Sequence, residues 1–431
     1  MYCPNCKKEF DSKFCPECGT RLIEKAQSPF EIVDGELFIP EGTTEIPDKA
    51  FYNNDEITSV DIPEGVTNIG FQAFCGTSLA SIVIPESVTE IGDEAFWGCE
   101  FTSIVIPEGV TEIPNGAFEE CNSLASIIIP KSVTKIGHRA FYNCTSLSSV
   151  VIPESVTEIG GEAFWGCEFT SIVIPEGVTE IPNGAFEECN SLASIIIPKS
   201  VTKIGHRAFN NCTSLSSVVI PESVTEIGDE VFWGCEFTSI VIPEGVTEIP
   251  YRAFEECNSL ASIIIPKSVT KIGHRAFYNT SLSSVVIPES VTEIGPYAFG
   301  RCESLTSIVI PDNVTKIGYD AFYRCGFTSI NIPKSMTTIG GQAFEGCSNL
   351  ISIIIPESVA DIEALAFKGC DNLTSVTILN GEIRISPDEI FDECPSLEHI
   401  YVLAGTTAHF KEIFGEGLHK FITEIDSEPA S

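Results

Sequence analysis

The sequence predicts a repeat solenoid, one long β-rich coil of short units with a parallel sheet along one face. Three observations carry that expectation. A 68-residue stretch from Gly92 to Ile159 is written almost three times, recurring from Gly160 and again from Gly228. Each copy divides into three units of 22 or 23 residues, each with one Ile-Pro and an ending near Ala-Phe-x-x-Cys. Sixteen such units are counted by their phenylalanines, from Phe51 and Phe74 to Phe367 and Phe391. Repetition at a period of a few tens of residues marks units that stack because none buries its apolar face alone.

The unit Leu79-Ala80-Ser81-Ile82-Val83-Ile84-Pro85 shows the design. Leu79, Ile82 and Ile84 follow the L-x-x-L-x-L signature of a leucine-rich repeat. Strand alternation turns Ile82 and Ile84 inward and leaves Ser81 and Val83 outside. Pro85 lacks a donor for the ladder and closes the strand. Val88 and Ile91 then return to the core, leaving Thr89 and Glu90 in water. Gly92 turns the chain, and Ala95 and Phe96 fill the core from a return arc expected as one short helical turn. At roughly 4.8 Å per stacked strand the body is about 75 Å long.

Flanking segments read as caps. Residues 30–397 are expected as the solenoid of about 16 repeats, with 29–39 (PFEIVDGELFI) as a covering strand or hairpin. Residues 398–425 form the C-terminal cap, with a strand at 399–403 and an amphipathic, helical 406–422 broken by Gly415 and Gly417. The tail 426–431 is expected to be disordered. Capped ends prevent edge-to-edge polymerisation.

At the N-terminus, Cys3, Cys6, Cys15 and Cys18 make a C-x2-C-x8-C-x2-C pattern. Two tight Cys-x-x-Cys turns can face one ion and complete a closed tetrahedral thiolate set, which suits structural zinc. A redox pair and disulfides are the rival readings. Residues 1–23 are therefore expected as a small zinc ribbon, joined by a linker at 24–29.

Thirteen further cysteines share one repeat position, three after the phenylalanine, as in Cys99, Cys121 and Cys144. Cys75 stands outside that register, and Asn54, Thr77 and Thr280 occupy the position in other units. Residues that are small and able to hydrogen-bond suit a buried turn, so reduced structural thiols are expected rather than bridges. Free thiols point to a reducing compartment.

The chain carries 24 basic and 61 acidic side chains, a net charge of −37. Such a surface repels nucleic-acid phosphates and anionic lipid and leaves protein partners as the expected class. No run of 18 apolar residues suggests membrane insertion. The N-terminus lacks the basic and apolar regions of a secretory signal, so a soluble, cytoplasmic protein is expected.

No nucleophile elbow, phosphate loop or paired-acid site stands out, and no enzyme is expected. His138, His206 and His274 recur three coils apart, too far for a shared metal, and read as solvated repeat positions. Glu112, Lys135 and Glu158 place a lysine rung between glutamate rungs. The outward strand position is more informative. It reads Val83, Val105, Ile128, Val151, Val173, Ile196, Val219, Val241, Ile264, Val286 and Val309, starting after Asp61 and continuing to Asn331, Ile354 and Thr377. An exposed β-branched stripe of that length is a candidate partner-binding or self-association surface. The alternative is that β-branched residues simply suit strands.

From about Leu37 to Leu397 these units resemble the BspA-like (Treponema-type) leucine-rich repeat family. The resemblance implies a curved solenoid with a parallel sheet along one face. It also implies kinship with many surface proteins that attach to other cells or to host molecules. Residues 2–22 are similar to the short zinc-ribbon family of bacterial N-termini. The expected function is a non-enzymatic protein–protein interaction scaffold that binds through its sheet face, the alternative being a cell-surface adhesin exported without a recognisable signal.

Overall fold

The computed structural model describes residues 30–386 and 390–426, together with the backbone of Tyr2–Cys3 and Lys8–Glu9. The expected solenoid forms, and most coils contribute two strands rather than one. The first strand is the expected one, such as Ser81–Val83 or Ser171–Val173. The second is a two-residue strand at Glu90–Ile91 and its equivalents, paired in parallel with its neighbours, as Lys135 with Glu158. Both strands put isoleucine into the core, because two separated turns of extended chain each need one inward apolar side chain to close the coil.

The parallel sheet is less continuous than expected. First strands pair in register, Ser103 with Ser126 and Val105 with Ile128, but the ladder is cut into sheets of two to five strands. Residues 149–151 form no strand, and Ser217 makes a single bridge to Ser194. The equivalent segment of the third copy, Ser284–Val286, does pair with Ser307–Val309.

The return arc is not a helical turn. Its backbone N–H groups alternate between two kinds of acceptor. Lys49, Phe51 and Asn53 donate across to Phe71, Ala73 and Cys75 of the next coil at 2.8, 2.9 and 2.8 Å. Between them, Ala50, Tyr52 and Asn54 donate back three residues within the coil. Every arc donor in this run is satisfied, half of them by the neighbour. The geometry puts two residues per coil at positive φ, for example Arg139 at 54° and Asn143 at 56°. Left-handed backbone costs roughly 1–2 kcal/mol at a non-glycine residue. Each inter-coil hydrogen bond it permits returns about 0.5–1.5 kcal/mol, so the arc holds only as part of a stack.

The core is a column of rings. From Phe51 to Phe391 each repeat phenylalanine stacks on the next, with centroid spacings such as 5.2 Å for Phe51–Phe74 and 5.8 Å for Phe367–Phe391. The 22-residue step from Phe96 to Phe118 has one residue fewer after its cysteine than the 23-residue step from Phe118 to Phe141. There Phe101 fills the place that Leu124 takes in the longer unit, and its ring meets Phe96 edge-on at 6.0 Å. A larger side chain makes up the missing length.

The cysteine ladder hydrogen-bonds as its residue types suggested. All thirteen repeat thiols donate to the carbonyl of the phenylalanine one coil earlier, as Cys121 to Phe96 at 3.0 Å and Cys144 to Phe118 at 3.0 Å. Where cysteine is absent, Thr77 and Thr280 donate to Phe74 and Phe277 of their own coils and also lie against the next cysteine. Burial pushes the Cys99 thiol up to about 12 and Cys302 to about 11, so these two thiols stay protonated and remain donors. Iodoacetamide at pH 8 is therefore expected to spare Cys167, Cys189 and Cys212 in the folded protein and to modify them after unfolding. Peptide mass mapping reads the result, and modification of these three in the native state would refute the sealed ladder.

Both ends are capped. Glu31–Val33 and Glu36–Phe38 form an antiparallel hairpin, and the second of these strands begins the parallel ladder against Ser59–Asp61. At the other end the ladder runs beyond residue 397. His399–Leu403 continues it, helix Thr407–Ile413 and a 3-10 turn at Glu416–Phe421 cross the end, and Ile422–Ile425 adds an unexpected last parallel strand. Phe414 lies 6.1 Å from Phe391 and closes the ring column.

Candidate binding face

The first strands present two outward ranks, serine and then a β-branched residue, because Ser-Ile-Val alternates out, in, out. Val83, Val105, Ile128, Val151, Val173, Ile196, Val219, Val241, Ile264, Val286 and Val309 are all exposed, with 52–80% of their surface open. The strand interruptions do not remove this row, since Val151 and Val219 are its most exposed members at 80%.

The row has defined limits. Asp61 bounds it on one side and Asn331 on the other, both exposed. Beyond Asn331 the stripe fails: Ile354 is half-buried and Thr377 is only 5% exposed, a correction to the expected outward run. Thr377 lies in the ladder between Ile354 and the large Tyr401 side chain, at the capped end of the sheet. An exposed serine rank borders the row on one side, and on the other, after the strand-closing proline, come Glu86, Glu108 and Lys131. An apolar strip inside a polar rim is the usual composition of a protein interface.

Other sequence candidates fall as follows. The lysine rungs do pair, Lys135 with Glu158 at 3.1 Å and Lys203 with Glu226 at 2.7 Å. These pairs are exposed and contribute little to stability. His138 and His206 are exposed, as expected of solvated positions, and His274 is half-buried. The His138 N–H donates to Asn115 Oδ1 at 2.9 Å, and His206 Nδ1 accepts the Asp229 N–H at 3.0 Å. They belong to a rung-to-rung chain in which a side chain of one coil caps a backbone N–H of the next. Among the described residues no group of three or more His, Cys, Asp or Glu could hold a metal ion. Cys6, Cys15 and Cys18 lie outside the described residues, and Cys3 is described by its backbone alone.

The model of the "BspA type Leucine rich repeat region (6 copies)" matches four overlapping stretches, residues 44–168, 111–237, 225–350 and 315–423. The chain belongs to this family. Two solved structures share the architecture. A leucine-rich repeat protein from Bacteroides ovatus is 23% identical, with a TM-score of 0.61 over 92% of this chain and 98% of that one. The pneumococcal vaccine antigen PcpA is 19% identical, with a TM-score of 0.53 over 92% of this chain and 96% of that one. A leucine rich cell surface protein from Faecalibacterium prausnitzii is 27% identical, with a TM-score of 0.48 over 89% and 97%. Among curated proteins no sequence matches the chain.

Proposed function

We propose that this BspA-type solenoid is a non-catalytic scaffold that binds a protein partner through the β-branched row, and that it works at the cell surface in the adhesin-like manner. The observation that carries the binding half is the row itself, eleven exposed apolar side chains on consecutive coils between Asp61 and Asn331. A strip of that extent exceeds the patch a soluble monomer usually leaves open.

Family membership favours the surface over the cytoplasm. The cytoplasmic expectation leaned on the N-terminal sequence and on free thiols, yet thiols that are buried, protonated and hydrogen-bonded resist oxidation wherever the protein resides. The ladder therefore does not demand a reducing compartment. The test is protease treatment of intact native cells. Loss of the full-length chain is expected, and protection until lysis would return the protein to the cytoplasm.

The four N-terminal cysteines are proposed to hold one structural zinc ion. Their chemistry fits, since four thiolates in two Cys-x-x-Cys turns leave no open position. Cys3 pairs antiparallel with Lys8. Purified protein is expected to contain about one zinc per chain, and Cys15→Ser with Cys18→Ser to contain none; equal zinc in both would overturn the assignment.

A further inference from the structure

The charge of the chain is unevenly spread. Residues 251–324 hold seven basic and seven acidic side chains, so the whole net charge of −37 lies outside them. The same stretch holds four of the eight arginines and five of the nine tyrosines. The gain begins at one place. The repeated copies read Asn115-Gly116 and Asn183-Gly184, but the third reads Tyr251-Arg252. Further on, Gly160-Gly161-Glu162 has Gly295-Pro296-Tyr297 as its counterpart.

Stacking of coils gathers these residues on the return arc. The Arg252 guanidinium lies 4.9 Å from the Tyr251 ring. Arg275 lies between Tyr278 and Tyr297, 5.0 Å from each. Arg324 covers Tyr323 at 5.2 Å. His274 stacks on Tyr251 at 5.5 Å, and Tyr319 meets Tyr297 edge-on at 5.3 Å. Two of the local carboxylates are withdrawn from the surface, while Glu256 is half-buried and Glu303 stays exposed. Glu255, 4% exposed, lies against both Arg252 at 3.0 Å and Arg275 at 3.3 Å, one anion for two cations. Asp320, 2% exposed, is hydrogen-bonded to Tyr297. The buried Nε atoms of Arg252 and Arg275 have no well-aligned hydrogen-bond acceptor. Arg301 and Arg324 are exposed and form no ion pair among the described residues.

We propose that this arc is a second docking surface, separate from the sheet face, for a short acidic segment of a partner protein. Guanidinium forks bind carboxylates in pairs, and arginine and tyrosine are among the side chains most enriched where interfaces hold tightly. Two other polymers fit less well. A sugar chain stacks on open ring faces, whereas guanidinium groups cover those of Tyr251, Tyr278, Tyr297 and Tyr323. A long polyanion such as nucleic acid meets the acidic coils on both sides.

The test uses the full chain and a short fluorescein-labelled peptide carrying a few glutamates among alanines and serines, read by anisotropy at low salt. Tyr251→Asn with Arg252→Gly restores the residues of the other copies, so the fold is retained by design. Arg301→Asn with Arg324→Gly uses residues found at equivalent left-handed positions, Asn279 and Gly346. The four changes together are expected to weaken binding at least about tenfold, while substitutions in the sheet-face row leave it unchanged. Equal binding by wild type and the fourfold variant would overturn the proposal, as would no binding by wild type. Tighter binding of a heparin oligosaccharide than of the peptide would also overturn it. So would concentration-dependent self-association that the four changes abolish, because the occupant would then be a second copy.

Discussion

Phe186→Ala is expected to remove about 3–5 kcal/mol of stability and to split unfolding into two transitions. Phe186 is fully buried, with Phe164 and Phe209 stacked on its two faces at 5.6 Å each and Phe169 edge-on at 6.4 Å. Truncation leaves a gap that close-packed neighbouring rings cannot fill. A solenoid is stabilised mainly through contacts between neighbouring coils, so a central lesion uncouples the two halves. Phe51→Ala at the N-terminal end is expected to fray one coil without a second transition, since the ring there is already 6% exposed. Denaturant unfolding followed by circular dichroism distinguishes the two variants. A single transition shifted equally by both would mean that the coils do not act as a nearest-neighbour stack.

The second large effect is on binding. Val173→Glu, Ile196→Glu and Val219→Glu together are expected to abolish partner capture while the coil spectrum and melting behaviour stay near wild type. All three side chains are more than half exposed, so little core packing is lost. Three carboxylates on adjacent coils repel one another by roughly 1 kcal/mol per pair in water, which a long stack tolerates. The matching triple serine variant separates the causes. It extends the neighbouring serine rank without charge, and it is expected to weaken capture as well, since the apolar contact is what the partner needs. Full capture by the serine variant would assign the glutamate effect to repulsion alone.

Much of the fold could be read before any coordinates, because identical side chains recur at identical positions. Ile82 and Ile84 inward, Val83 outward, Pro85 closing and Phe96 filling all follow from alternation and from proline chemistry. The second ladder was hidden because a strand of two residues, such as Glu90–Ile91, is too short to show alternation. The arc was misread as helical because its left-handed positions are held by Glu162, Arg207 or Asn211 as readily as by glycine. The end of the stripe at Thr377 depends on strands supplied from 399 to 425, which local pattern does not reveal. The tyrosines and arginines of residues 251–324 are unremarkable one at a time. They become a surface only when four coils are laid side by side.

The most direct test of the sheet-face account is site-specific photocrosslinking. A photoreactive residue at Val173, on the β-branched row, is compared with one at Thr179, which is also exposed but lies beside the second ladder. The account predicts a crosslinked partner from Val173 and none from Thr179. Crosslinks of equal yield from both positions, or from Thr179 alone, would contradict it.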